Sequence, residues 1–130
     1  MAAALNEGNR SLLDAARRRA RGDAFDLRLA DAAALPFPEA FFDVVLSVNT
    51  IYFWPDPDKV LAEMKRILKP GGRLVLGYRS RLLLLWNPVS WFGFRLHGDR
   101  QVARLLGEAG FAAEIRKGRT GERLALGTKA

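Results

Sequence analysis

Apolar and polar residues are ordered most sharply between Leu29 and Gly77, LADAAALPFPEAFFDVVLSVNTIYFWPDPDKVLAEMKRILKPGGRLVLG. Phe42 to Val48 (FDVVLSV) is β-branched and apolar apart from Asp43 and Ser47, the pattern of a strand buried on both faces of a parallel sheet. An aromatic loop follows, Asn49 to Trp54, and Asp56 then caps a helix with Pro57 at its first position. Val60, Leu61, Met64, Ile67 and Leu68 repeat at helical spacing, which predicts one apolar stripe turned toward a sheet. Pro70-Gly71-Gly72 ends that helix and turns the chain, and Arg73 to Tyr78 (RLVLGY) reads as the next strand. The β-α-β unit so formed is expected to cross over with right-handed sense.

Upstream, Phe25 to Ala30 alternates as a strand with one buried face, and Asp31 ends it. Pro36 and Pro38 make residues 32–39 a loop. Residues 2–21 read as helix, with Leu5, Leu12, Leu13 and Ala16 near helical spacing and Gly22 as a stop; no strand-like run is expected before residue 25. Downstream, Leu82 to Phe94 is apolar and rich in Trp and Phe, a cover over a pocket or an exposed patch for a membrane surface or partner. Asp99 is expected to cap a helix reaching Ala109, with Val102, Leu105 and Leu106 inward and Gly110 closing it. Ala112 to Arg116 and Glu122 to Gly127 then form a terminal hairpin.

Composition narrows the chemistry. The 130 residues are enough for one domain and a modest core. The chain has no cysteine and a single histidine, His97, which rules out disulfides and thiolate metal sites and makes a histidine-based metal site or triad a poor reading. No basic-then-apolar leader pattern opens the chain, and no apolar run approaches the ~20 residues a membrane helix needs, so a cytoplasmic protein without a membrane span is expected. The net charge of +7 raises the question of nucleic acid. Residues 25–72 carry five basic and seven acidic groups, while residues 73–130 carry eleven and four. The excess is thus spread singly, with only Arg17-Arg18-Arg19 and Arg21 clustered. Phosphate binding needs a concentrated patch, so no specific nucleic-acid partner is expected.

Three motifs carry a family resemblance: Asp31-Ala32 followed by Leu35-Pro36-Phe37, then Phe42-Asp43-Val44-Val45, then Leu68-Lys69-Pro70-Gly71-Gly72. Together they resemble the downstream two-thirds of a class I (Rossmann-like), type 11-like methyltransferase dependent on S-adenosylmethionine. The match is good over residues 25–80 and in outline beyond. It implies an α/β fold: a partial Rossmann-like sheet, mostly parallel, with a C-terminal antiparallel hairpin, in one domain over residues 1–130. It also implies S-adenosylmethionine as cofactor and a small-molecule methyl acceptor. By the match, Asp31 and Ala32 lie beside the adenine, and Asn49 near the methionine portion and the acceptor. Tyr52, Phe53 and Trp54 would then line the acceptor pocket. Each has a plainer alternative: Asp31 and Asn49 as turn formers after strands, and the three aromatics as a lid over a sheet edge.

The resemblance also has gaps. The family holds its cofactor on a glycine-rich turn after one earlier strand, and on an acidic residue that ends a second and grips the ribose hydroxyls. Neither is expected to have a counterpart here: no Gly-x-Gly occurs in the chain, and with no strand-like run in residues 1–24, two central strands and one helix are expected to be missing. Without those strands, one edge of the Phe42 strand is left open, an invitation to pairing with another copy. Direct pairing of the two remaining strands, a partner filling the gap, and truncation at the N-terminus are the outcomes to separate; truncation is expected. A non-catalytic remnant used for protein interaction is the rival reading.

Overall fold

A computed structural model describes residues 2–5, 10–19, 26–79 and 98–130. The expectations placed on Gly22, His97 and the Leu82–Phe94 segment lie outside these residues. In chain order the elements are β1 (Ala2–Leu5), α1 (Arg10–Arg19), β2 (Asp26–Leu29), β3 (Phe42–Val48), a 3-10 turn (Ile51–Phe53), α2 (Pro57–Ile67), β4 (Leu68–Arg79), α3 (Asp99–Glu108), β5 (Phe111–Lys117) and β6 (Glu122–Lys129). β1 and β2 form a two-stranded parallel sheet, and the other four strands form a sheet in the order β3-β4-β6-β5. β3 runs parallel to β4, while β6 is antiparallel to both β4 and β5. The architecture is α/β, with parallel pairing at β1-β2 and β3-β4 and antiparallel pairing through β4-β6-β5.

β1 overturns the expectation that no strand precedes residue 25. Alanine is the best helix former, so AAAL reads locally as helix. Pairing decides otherwise: Ala2 to Leu5 register against Asp26 to Leu29, and the helix is confined to Arg10–Arg19. One of the strands judged missing is therefore present. No pairing joins β2 to β3 among the described residues.

The β3-α2-β4 unit forms as its pattern predicts. Lys59 N–H donates to Asp56 Oδ1 at 3.3 Å, and Pro57 opens α2. Val60, Leu61 and Met64 share one buried cluster with Leu74, Leu76 and Tyr78 of β4 and Val102 and Leu106 of α3, and Ile67 is buried as well. At about 1.5–3 kcal/mol for each fully buried large apolar side chain, this stripe is the main energetic reason α2 stays docked. α2 ends at Ile67 because Leu68 is already extended, and Pro70 disfavours helical geometry at Lys69. β4 thus begins at Leu68, five residues earlier than the sequence suggested. Its register against β3 slips between Phe42↔Leu68 and Val44↔Arg73, which accommodates the Pro-Gly-Gly. Gly71 adopts φ +78°, whereas Gly72 is needed for space: a Cβ there would sit 2.7 Å from the Lys69 carbonyl oxygen and 3.2 Å from that of Asp43.

Two further expectations are corrected. Asp99 is not the cap of α3; Gly98 holds that position, and the Asp99 carboxylate accepts from Tyr78 Oη at 2.9 Å and Arg123 Nε at 3.1 Å. β3 is not buried on both faces. Val44, Leu46 and Val48 are 56%, 65% and 53% exposed, because α2 and α3 pack on the opposite side of the sheet and β3 is its edge strand. No helix among the described residues is long and apolar enough to cross a membrane.

Two outcomes follow for stability and solubility. Gly72→Ala should destabilise by more than the ~1 kcal/mol expected of Gly71→Ala, since it adds a backbone clash to any change in chain entropy; urea titration ranks the two. Leu46→Lys should leave the urea midpoint nearly unchanged while lowering self-association, read by light scattering against concentration.

Candidate functional site

The carboxyl ends of β2, β3 and β4 carry the residues singled out from the sequence, and the chain positions each by local means. Asp31 lies two residues past β2. Its backbone carbonyl accepts from Ala34 N–H at 3.0 Å, and its Oδ1 accepts from Ala33 N–H at 2.9 Å, which makes a tight Asx-type turn. Asp31 remains exposed, while Ala32 and Ala33 are partly buried against the core. The turn-forming role of Asp31 is thus part of the geometry. It leaves a carboxylate in reach of solvent at a strand end.

Asn49 follows β3 directly, with φ +56° and its N–H donating to the Gly77 carbonyl at 2.8 Å. Asparagine tolerates this left-handed conformation better than other residues with a Cβ, and here it keeps the side chain exposed. The Ser47 and Thr50 hydroxyls hydrogen-bond each other across the same corner. The 3-10 turn then divides the three aromatics. Tyr52 and Trp54 enter the core, and Phe53 is 61% exposed. Tyr52 Oη accepts the Arg79 N–H, tying the turn to the end of β4. Burial, first, pushes the Tyr52 hydroxyl pKa up; its bond to Arg79 opposes that. Phe53 is therefore the member of the trio that faces outward, with Tyr52 holding it in place from behind.

Beside this corner, Tyr78 is buried at the end of β4 and donates to Asp99, whose other oxygen is held by Arg123 of β6. Burial and the Asp99 carboxylate together raise the Tyr78 pKa far above the ordinary phenol range, so the group stays a neutral donor. The set bonds α3, β4 and β6 at one end of the sheet. It offers no acid or base near neutrality.

The loop between Asp31 and β3 is held by residues the sequence did not single out. Leu35 N–H donates to Glu63 Oε1 at 2.8 Å. Arg66 Nη2 donates to the Leu35 and Phe37 carbonyls at 3.2 and 2.9 Å. From the other side, Arg28 Nη1 donates to the Pro36 carbonyl at 2.6 Å, and its guanidinium lies 5.0 Å from the Phe37 ring centroid. Glu63 and Arg66 also bond each other at 2.7 and 2.8 Å. Their i, i+3 spacing was legible; their backbone partners 28 to 31 residues away were not.

Chemically, the strand ends offer an exposed carboxylate, an exposed carboxamide and backbone groups in tight turns. Such groups bind and orient a polar ligand. Comparison with known proteins gives the family of the chain. Residues 5–76, over half the chain, match the methyltransferase domain model. The chain belongs to the class I S-adenosylmethionine-dependent methyltransferases. The ubiquinone/menaquinone biosynthesis C-methyltransferase of Ralstonia pickettii is 32% identical over 117 residues, 81% of this chain and 44% of that protein. A methyltransferase of Thermotoga maritima, described as a possible histamine N-methyltransferase, superposes with TM-score 0.82 at 25% identity, over 96% of this chain and 72% of its own. The [4+2]-cyclase SpnF shares the fold at TM-score 0.73 and 21% identity, over 89% of this chain and 60% of its own. The chain spans less than half the length of the curated relatives it matches.

For this family member the Glu63–Arg66 pair has a pH consequence. The hydrogen bond from Arg66, followed by that from Leu35, holds the Glu63 carboxyl below its ordinary value of 4.5. A lowered folded pKa adds stability that is present above the unfolded value and lost as pH falls through the folded one. Thermal melts of the wild type should therefore lose stability below about pH 4.5 more steeply than those of Glu63→Gln, which keeps an acceptor but cannot titrate.

Proposed function

We propose that this chain contributes the adenine-side and acceptor-side walls of a methyltransferase site that moves a methyl group from S-adenosylmethionine to a small-molecule acceptor. The observation that carries the reading is that Asp31 and Asn49 are exposed polar residues past the carboxyl ends of β2 and β3, Asp31 in an Asx-type turn over the partly buried Ala32 and Ala33, and Asn49 at φ +56° bonded to Gly77. Ligands of α/β sheets bind at such strand ends.

The residues present fit the nucleoside part of the cofactor. The Asp31 carboxylate can accept from an exocyclic amine, and the Ala32 backbone N–H can donate to the ring. The Asn49 amide both donates and accepts. The methionyl end calls for close backbone approach, and the chain has no Gly-x-Gly to provide it. When bound, the cofactor supplies an electrophilic sulfonium methyl, so the residues here need only bind and align; no general base is required of them. Phe53 would line the acceptor side, with Tyr52 and Trp54 supporting it from the core. The name of the Ralstonia relative makes an apolar aromatic ring the first acceptor to try. A cytoplasmic location suits such a substrate.

The rival reading is an interaction module without catalysis, and the open edge of β3 favours it. Self-association through that edge belongs to the same reading. SpnF shows that this fold also serves a cyclase, so fold alone does not decide the reaction. Titration calorimetry separates the two. The methyltransferase reading expects micromolar binding of S-adenosylmethionine, weakened about tenfold by Asp31→Ala, in keeping with loss of one charge-assisted hydrogen bond. A folded chain that binds neither S-adenosylmethionine nor S-adenosylhomocysteine is a remnant.

A further inference from the structure

We propose that Glu63 and Arg66 of α2 are positioning residues for the cofactor side of this site, acting on the Asp31–Ala34 turn through the Leu35–Phe37 loop. The inference rests on the assignment of Asp31 and Ala32 to the adenine wall.

The argument starts from what the loop lacks. Pro36 and Pro38 have no N–H, and their fixed φ prevents the segment from folding back to satisfy itself. Its polar backbone groups must look elsewhere. Four of them find a side chain: Leu35 N–H reaches Glu63, the Leu35 and Phe37 carbonyls take Arg66, and the Pro36 carbonyl takes Arg28. The three carbonyls in a row are all occupied. An ordinary surface ion pair three residues apart on a helix spends its atoms on itself. Here one guanidinium nitrogen, Arg66 Nη2, serves two loop carbonyls and the Glu63 carboxylate together.

The helix carrying these residues is fixed by its buried stripe, so the loop inherits a rigid reference. α2 also receives the next stretch of chain: Ala40 N–H donates to the Arg66 carbonyl at 2.9 Å and Phe41 N–H to that of Ile67 at 2.8 Å. The segment from Leu35 to Phe41 is thereby laid along the last turn of α2. Only Ala34 separates Leu35 from the Asp31–Ala33 hydrogen bond. Displacing Leu35 shifts the turn that presents the Asp31 carboxylate and the Ala32 N–H. Binding groups misplaced by about an ångström lose much of their effect. Lysine cannot replace Arg66, because a single ammonium lacks the Nε–Nη2 fork that holds both Glu63 carboxylate oxygens while Nη2 reaches the loop carbonyls.

Two measurements on the full 130-residue chain test this: calorimetry with S-adenosylhomocysteine, and amide exchange at Ala33 and Ala34, whose N–H groups bond to Asp31. Arg66→Ala, Arg66→Lys and Glu63→Ala are compared with wild type. The expected result is affinity reduced about tenfold or more in all three, with faster exchange at Ala33 and Ala34 and unchanged exchange in β4. The unchanged β4 signal excludes general unfolding, and Arg66→Lys supplies a folded variant if Arg66→Ala is too unstable. Wild-type affinity in the variants, or unchanged exchange at Ala33 and Ala34, overturns the inference. If the wild type itself binds nothing, the cofactor assignment has failed instead; exchange at the two alanines then decides alone whether the pair holds the turn.

Discussion

The end of α2 sets the terms for everything around it. A helix leaves its last carbonyls without intrahelical donors, and a docked helix cannot turn all of them to water. Here the debt is met by distant parts of the chain. Lys129 Nζ donates to the Lys65 and Leu68 carbonyls at 2.8 and 2.7 Å, while Ala40 and Phe41 N–H groups take those of Arg66 and Ile67. The penultimate residue of the chain and the entry to β3 are thus tied to one helical turn. The lysine also places positive charge where the helix dipole favours it. Burial of Val60, Leu61, Met64 and Ile67 supplies most of the energy, and these bonds supply the register. An exposed ion pair alone is worth about 0–1 kcal/mol, too little to dock a helix but enough to choose between loop positions once it is docked.

That division between energy and register explains the contrast between the two sides of the larger sheet. Its α-covered face holds Leu74, Leu76 and Tyr78, all buried. The opposite face brings Val44, Leu46 and Val48 of β3 beside Val75 and Gly77 of β4 and on to Leu124 of β6, and much of it is exposed. The two edges differ in the same way. β5 ends its sheet with Glu114, Arg116 and Lys117, charges of the kind that discourage pairing. β3 ends it with valines and a leucine. A surface of that composition is what remains when strand and helix partners are not among the residues described.

The parts of this fold legible in the sequence are those where one local signal suffices. The Asp56-Pro57 start of α2, its apolar stripe as far as Ile67, the Gly110 stop with Phe111 buried behind it, and the final hairpin all formed as read, whereas Leu68 passed from the stripe to β4. What escaped notice depended on partners far along the chain. Ala2 to Leu5 became a strand because β2 pairs with it, against alanine's own preference. Asp99 looks like a helix cap until Tyr78 and Arg123 claim both its oxygens. β3 looks buried on both faces because its composition suits a complete sheet. Of the candidate site residues, Asp31 and Asn49 are found at strand ends as expected. The aromatic trio could not be sorted from the sequence, since a 3-10 turn sends Tyr52 and Trp54 one way and Phe53 the other.

The same reasoning shows what turns contribute to the proposed site. In-line methyl transfer asks the protein for distance and angle, and a turn fixes both only if its own hydrogen bonds are complete. Asp31 meets that condition twice, once with its carbonyl and once with Oδ1, and Asn49 meets it through Gly77. Asn49 therefore spends its backbone on rigidity and leaves its side chain exposed, while Asp31 divides its carboxylate between the turn and solvent. An aspartate is better suited to this than a glutamate, whose longer side chain cannot close the same two-residue ring. Isosteric asparagine at position 31 would keep the turn and remove the charge, whereas alanine would remove both. The difference between those two variants measures how much of the site's affinity is electrostatic and how much is held in the shape of the turn.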